Sequence, residues 1–178
     1  MGYSQRRRVE EHLARELLLA LALLGVALVQ TALLPRPLSV APNLLLLLTV
    51  CHALIAGPAP AARWAFYGGV GLDLCAATAL GTHALALLAA ALATMLLGRL
   101  SRGNWLLPLL GAVAGALAYH AALALVASLL VAPVAPRAYL LAAAVPDTLA
   151  TLVPALPVYM LMRWAAGRQR GEVPVDVY

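Results

Sequence analysis

Residues 105–131, WLLPLLGAVAGALAYHAALALVASLLV, form an apolar run that contains no charged side chain. At a rise of about 1.5 Å per residue, roughly 20 helical residues cross the ~30 Å hydrocarbon layer of a bilayer. This run is therefore long enough and apolar enough to span a membrane as a helix. Of the 178 residues, 64% are hydrophobic and 11% are charged, which leaves too few charges to cover a soluble domain. The sequence predicts an all-α integral membrane protein.

Five further apolar runs share this character, and short breaks rich in proline, glycine or arginine separate them. Proline lacks the N–H group that continues a helix, so Pro35 ends the first run and Pro58 ends the second. A kink or break is expected near Pro146, within the last run. The sequence therefore predicts a six-transmembrane-helix bundle with spans at 17–34, 42–56, 61–77, 82–97, 105–131 and 138–162.

The placement of arginine predicts the orientation of this bundle. The chain has no lysine, so all twelve basic residues are arginines. Cytoplasmic segments of membrane proteins carry an excess of basic residues. With six spans and both termini in the cytoplasm, ten arginines lie inside, and only Arg36 and Arg137 lie outside. These charges indicate a membrane face rather than a nucleic-acid surface. The predicted parts are a cytoplasmic N-terminal segment 1–16, a transmembrane domain 17–163 and a cytoplasmic tail 164–178.

Small residues recur at four-residue spacing on the third and fifth predicted helices. They are Ala65 and Gly69 on the third helix, and Gly111 and Gly115 on the fifth. Because lipid tails are as apolar as leucine, membrane helices associate largely through close backbone approach at small residues. These faces are therefore predicted to pack tightly, either within the bundle or against a helix of a partner.

A few polar residues fall inside the predicted spans, where they are costly and mark candidate functional sites. In the predicted orientation most of them lie between the midplane and the outer face of the membrane. One interpretation is an outward-facing polar pocket or a partner-docking notch. The alternative is that Asp73 and His83 fasten the turn between the third and fourth spans. Asp147 follows a proline and is expected either to cap a restarted helix or to serve a proton relay. The candidate notch residues are Asn43, Asp73, His83, His120 and Asp147.

No pattern typical of catalysis or metal binding accompanies these residues. The sequence has no glycine-rich phosphate loop, no GxSxG element, and no HExxH or CxxC spacing. Cys51 and Cys75 both fall within apolar runs, where lone cysteines behave as small hydrophobes. We therefore expect a protein that is not an enzyme and that holds neither a cofactor nor a metal.

Two stretches resemble the rod shape-determining protein MreD family. Pro42-Asn43 before a leucine run resembles the opening of the second span in that family. GVGLDL at 69–74 and LGTHAL at 80–85 resemble its glycine-rich helix, aspartate, Leu-Gly turn and next helix. The resemblance covers about residues 42–99, and it transfers to individual residues at Asp73, Gly81 and His83.

The resemblance implies a non-enzymatic scaffold of the bacterial cell-elongation machinery in the plasma membrane, which controls cell shape and lateral peptidoglycan synthesis. Such proteins pair with the single-span protein MreC and act near RodA, its penicillin-binding transpeptidase and, indirectly, the actin-like MreB. The resemblance also implies the six-helix fold of the substrate-binding S-components of energy-coupling-factor vitamin transporters, an analogy that by itself supplies no ligand. An S-component that binds a small vitamin-like molecule is the alternative function, and a binder of lipid precursors for wall synthesis is a third.

Overall fold

A computed structural model describes residues 3–33, 42–76, 78–100, 106–130 and 135–170. All regular secondary structure in these ranges is helical, which confirms the predicted all-α class. Two π-helical turns, Val29–Leu33 and Leu140–Ala144, continue the first and sixth helices. The α-helices are α1 Tyr3–Leu28, α2 Leu44–Ala56, α3 Pro58–Ala76, α4 Thr82–Leu100, α5 Leu107–Leu130, α6 Pro136–Tyr139, α7 Val145–Leu152 and α8 Ala155–Arg170.

Several of these helices can cross a membrane. Three stretches are long and apolar enough to do so alone: Glu10–Ala32, Thr82–Leu100 and Leu107–Leu130. A fourth candidate combines Pro136–Leu152 with Ala155–Arg168, which are bent by 49° at the break between them. The apolar helix α2 has only 13 residues, and α3 is not among the candidates. These helices fit a multi-pass membrane protein with three or four spans by length and composition.

Helix α2 lies at the centre of the bundle. It contacts α3, α4, α5 and α8, and Leu45, Leu46 and Leu47 are at most 1% exposed. The outer surface, in contrast, presents large apolar side chains to the surroundings. Examples are Leu21 on α1, Leu85 and Leu92 on α4, and Leu125 and Leu129 on α5. An apolar exterior over a filled apolar core is what a lipid environment favours, since water would penalise so large an exposed patch.

The small-residue faces lie inside this bundle. Gly69 packs against the backbone of α4 at Ala84, and Gly115 packs against Val50 of α2 and Thr94 of α4. The side chain of Ala65 is fully buried, and Gly111 faces Leu54 and Thr94. Of the two alternatives in the sequence, the structure therefore realises packing within the bundle. These faces are covered by α2 and α4, so a helix of a partner has no access to them.

Four arginines on α3, α4 and α8 collect at one end of the bundle, whereas Arg137 lies on α6. A cavity lined by Gly57, Pro58, Gly98, Arg99 and Leu107 shows that the end of α2, the start of α3, the end of α4 and the start of α5 meet there. A second cavity joins the last turns of α8 to the same region. We call this the basic end. The arginines that the structure places there are Arg63, Arg99, Arg163 and Arg168.

The first and last predicted segments differ from the observed helices. Residues 3–28 form one continuous helix, although a boundary is predicted at residue 16, and α8 continues to Arg170 through the start of the predicted tail. A kink or break is predicted near Pro146, and the regular α-helix is interrupted directly before this residue. The N–H of Val145 donates to the carbonyl of Leu140 in a π-helical turn, which makes room for the proline ring. The bend of 49° lies at the break before Ala155.

Candidate functional site

A network of polar side chains lies away from the basic end. Counting residues at about 1.5 Å of rise, Asp73, His83 and His120 lie roughly 20–25 Å from the basic end of their own helices. On these helices the network is therefore remote from the arginines of the basic end. All five residues of the candidate notch take part in this network, together with side chains that the sequence did not single out.

Asn43 fixes the start of the central helix α2. Its Oδ1 accepts a hydrogen bond of 3.0 Å from the N–H of Leu46, which is a side-chain N-cap. Its own N–H donates to Oγ1 of Thr151 on α7 at 3.1 Å, across 108 positions of sequence. Thr151 in turn donates to the carbonyl of Asp147 at 2.8 Å. The side chain of Asn43 is 6% exposed, so the cap is a buried junction between α2 and α7.

Gln30 joins α1 to the same junction. It lies in the π-helical turn Val29–Leu33, and its Nε2 donates to Oδ1 of Asn43 at 3.2 Å. Its Oε1 accepts from the N–H of Leu45 at 3.1 Å. The first N–H groups of a helix have no partner within the helix, and an unpaired one is costly in hydrocarbon. Gln30 and Asn43 together therefore pair N–H groups at the start of α2 that would otherwise be unsatisfied.

Asp73 closes the turn between α3 and α4. Its Oδ1 accepts from the N–H of His83 at 2.8 Å and from the hydroxyl of Thr78 at 3.1 Å. Its Oδ2 accepts from the N–H of Gly81 at 2.8 Å. Gly81 has a φ of 96°, a conformation that glycine adopts without strain. These contacts match the prediction that Asp73 and His83 fasten the turn, except that Asp73 binds the backbone N–H of His83 and not its ring.

The imidazole of His83 links this turn to α5. Its Nδ1 lies 2.8 Å from the hydroxyl oxygen of Tyr119, and the two rings are stacked with an interplanar angle of 19°. Tyr119 is 3% exposed, so its hydroxyl needs a partner inside the protein. Asn43 also lies within interaction range of this hydroxyl. Tyr119 therefore connects the α3–α4 turn to the cap of α2.

His120 connects α5 to α6 and α7. Its Nδ1 lies 3.1 Å from the hydroxyl of Tyr139, and its Nε2 lies 3.0 Å from Oδ2 of Asp147. The predicted capping role of Asp147 does not occur. The backbone is right-handed helical at Ala144 and Val145, so no helix restarts at this point and no free N-terminus needs a cap. The phenol, imidazole and carboxylate form a chain that can hold or pass a proton, which leaves the relay alternative open.

A cavity of about 310 Å³ adjoins the cluster of His120, Tyr139 and Asp147. Its polar lining includes three of the predicted notch residues, Asn43, His120 and Asp147. Asp73 and His83 do not line it and are linked to it through Tyr119. The volume falls at the lower end of the range for small-molecule pockets, which is about 300–1,000 Å³. The remaining lining residues are Tyr119, Leu123, Tyr139, Ala142, Ala143 and Pro146.

The candidate notch omitted four residues of this network that lie within predicted spans: Gln30, Tyr119, Tyr139 and Thr151. One signal could have identified them, because each places an amide or hydroxyl within a predicted span. Such a group is expected to find a hydrogen-bond partner when it is buried. Thr151 also follows Asp147 by one helical turn, and this spacing places both residues on one face.

Within the described residues, no group of three or more histidine, cysteine, aspartate or glutamate side chains is placed to hold a metal ion. A scan against models of protein families, a search of curated proteins and a search of solved structures found no match to this chain.

Proposed function

We propose that this protein is a non-enzymatic membrane scaffold of the bacterial cell-elongation machinery, of the MreD type. The observation that carries the proposal is the turn between α3 and α4. Four residues from the stretches 69–74 and 80–85 that carry part of the resemblance, Gly69, Asp73, Gly81 and His83, lie at this turn. They form one closed unit in which Gly69 contacts α4 and Asp73 binds the backbone of the turn. This arrangement gives a structural reason for that pattern of residues.

The proposal includes six crossings, with both termini in the cytoplasm. In this arrangement α2 is a short crossing, α3 has the same length as α4, and the broken series α6, α7 and α8 makes the sixth. The collection of arginines at the basic end supports this orientation, because basic residues favour the cytoplasmic face. The polar network then lies in the outer half of the membrane. The ends of α3, α4 and α5 alternate between the two faces, as successive crossings require.

The internal hydrogen bonds suggest how such a scaffold works. Gln30, Asn43, Tyr119, His120 and Asp147 tie α1, α2, α5 and α7 to one another, so the outer surface has a fixed shape. Because the small-residue faces are buried, MreC must contact the lipid-facing surface of the bundle. RodA and its penicillin-binding transpeptidase are further proposed partners, and MreB is an indirect one.

Co-purification with MreC from the same genome tests the proposal. The tagged chain and MreC are co-expressed, extracted in a mild detergent and recovered through the tag. Near-stoichiometric recovery of MreC is expected, with an unrelated single-span protein as the control. Recovery of MreC at the level of this control would contradict the scaffold function.

A second function is favoured by the cavity of about 310 Å³, which has the polar lining that a small ligand needs. This function is that of an S-component-like binding protein. The polar groups that line the cavity already bind one another, and no arginine among the described residues lines it to hold a carboxylate. Mass spectrometry of the purified protein separates the two functions. A stoichiometric small molecule would favour binding and transport, and its absence together with recovery of MreC would favour the scaffold.

A further inference from the structure

A separate cavity of about 400 Å³ lies near the basic end, between α2, α3 and α8. It shares no lining residue with the cavity beside His120 and Asp147. Its walls are mainly apolar, but an imidazole and an indole contribute to them. The lining residues are His52, Ile55, Ala56, Trp64, Met162, Ala165 and Ala166.

His52 is an unsatisfied polar group in this wall. Its ring stacks on the indole of Trp64, with the ring centroids 4.2 Å apart and an interplanar angle of 13°. Its Nε2 is buried and has no hydrogen-bond partner in the part of the chain that the structure describes. A buried polar atom without a partner is destabilising and requires an explanation. A rotation of the ring would bring this nitrogen to the cavity, where an oxygen atom of a bound molecule would supply the missing partner.

Arginines lie near this cavity, although none of its described lining residues is charged. Arg63 precedes Trp64 on α3, and Arg163 and Arg168 lie in the turns of α8 that form the wall. Arg63 forms an ion pair with Glu16, so its charge is partly compensated. Arg163 and Arg168 form no ion pair with any described residue, although the guanidinium of Arg168 lies 3.7 Å from the centre of the Trp164 ring. The cavity therefore favours a ligand that carries negative charge.

We propose that this cavity binds the headgroup and glycerol region of an anionic phospholipid. Nε2 of His52 would form a hydrogen bond with an oxygen atom of the headgroup or glycerol. Arg163 and Arg168 would attract the phosphate, and an acyl chain would follow the apolar side chains of Ile55 and Met162. Basic pockets between membrane helices at the cytoplasmic face bind anionic headgroups in this way. The proposal does not depend on the scaffold function.

Native mass spectrometry of the full chain with phosphatidylglycerol in detergent micelles tests this site. His52→Phe keeps a ring against Trp64 but removes the nitrogen, and Ala166→Trp fills the cavity. Arg99→Gln is the matched control, since it removes an arginine from the neighbouring cavity of about 430 Å³ at the same end. Phosphatidylcholine controls for lipid charge, and inorganic phosphate controls for a free anion. Thermal melting without added lipid shows that each variant is folded.

The wild-type chain and Arg99→Gln are expected to retain one phosphatidylglycerol molecule and to prefer it to phosphatidylcholine. His52→Phe and Ala166→Trp are expected to lower its occupancy at least fivefold. His52→Phe should melt no lower than the wild type without lipid, because it removes an unsatisfied nitrogen. Wild-type occupancy in His52→Phe would overturn the proposal, and so would an equal loss in Arg99→Gln. Displacement of the lipid by inorganic phosphate would overturn it in favour of a small-anion site.

Discussion

A β-carbon built on Gly69 would lie 2.2 Å from the Cα of Ala84, so the backbones of α3 and α4 touch at this point. One turn further along α3, the Asp73 carboxylate receives the N–H groups of Gly81 and His83. The contact and the carboxylate act on the same pair of helices. Together they make α3 and α4 a rigid hairpin inside the bundle.

Gly69→Ala is expected to destabilise the protein strongly, because the added methyl group meets backbone atoms that cannot rotate away. Overpacking of this kind costs about 1–3 kcal/mol or more, which lowers the melting temperature by roughly 5–10 °C for a chain of this size. Thermal unfolding followed by circular dichroism in detergent measures the change.

Gly25→Ala is the matched control, since nothing lies within 4 Å of a β-carbon at that position of α1. Alanine is favoured over glycine within a helix by about 0.5–1 kcal/mol, so this variant should melt at or slightly above the wild-type temperature. If Gly69→Ala melted as high as Gly25→Ala, the close contact between α3 and α4 would be refuted.

Substitutions of Asp73 should follow the number of acceptor oxygens that remain. Asparagine offers one oxygen in place of two, so Asp73→Asn leaves one of the backbone N–H groups of the turn without its acceptor. Asp73→Leu leaves both of them without one, and each buried unsatisfied group costs about 1–3 kcal/mol. We expect the melting temperatures to fall in the order wild type, Asp73→Asn, Asp73→Leu. A wild-type melting temperature for Asp73→Leu would show that the carboxylate does not stabilise the turn.

His120 and Asp147 should be energetically coupled, because their side chains meet at 3.0 Å. Interhelical hydrogen bonds in membrane proteins contribute about 0.6 kcal/mol on average and up to roughly 1.7 kcal/mol. A double-mutant cycle of His120→Phe and Asp147→Ala, measured by unfolding in mixed micelles, should give a coupling in this range. Strictly additive effects of the two substitutions would show that the contact does not form.

Hydropathy predicted the middle of the fold closely. The predicted spans 61–77, 82–97 and 105–131 correspond to α3, α4 and α5 within a few residues at each end. The apolar runs end at clear signals there, such as Gly81 and the proline-rich stretch that begins α3. The last span was harder to predict. The two π-helical turns and the bend before Ala155 depend on how neighbouring helices satisfy freed backbone groups, and this information is absent from a local pattern.

The sequence predicted which residues belong to the candidate site better than it predicted the contacts between them. A polar residue in an apolar run is conspicuous, and the five predicted residues do share one network. Their partners were not predictable, because a buried group can pair with any other polar group at the same depth. The hydrogen bond between Asn43 and Thr151 joins residues that are 108 positions apart in the sequence. The imidazole of His83 pairs with the hydroxyl of Tyr119 rather than with the nearby carboxylate of Asp73.

The most direct test of this account is the side of the membrane on which each turn lies. Single cysteines replace the exposed residues Ala59, at the basic end, and Ala79, in the α3–α4 turn, in a chain with Cys51→Ala and Cys75→Ala. A membrane-impermeant maleimide applied to intact cells should label the cysteine at position 79 and leave that at position 59 unlabelled until the cells are lysed. Labelling of position 59 alone in intact cells would contradict the orientation, and with it the placement of the polar network in the outer half of the membrane.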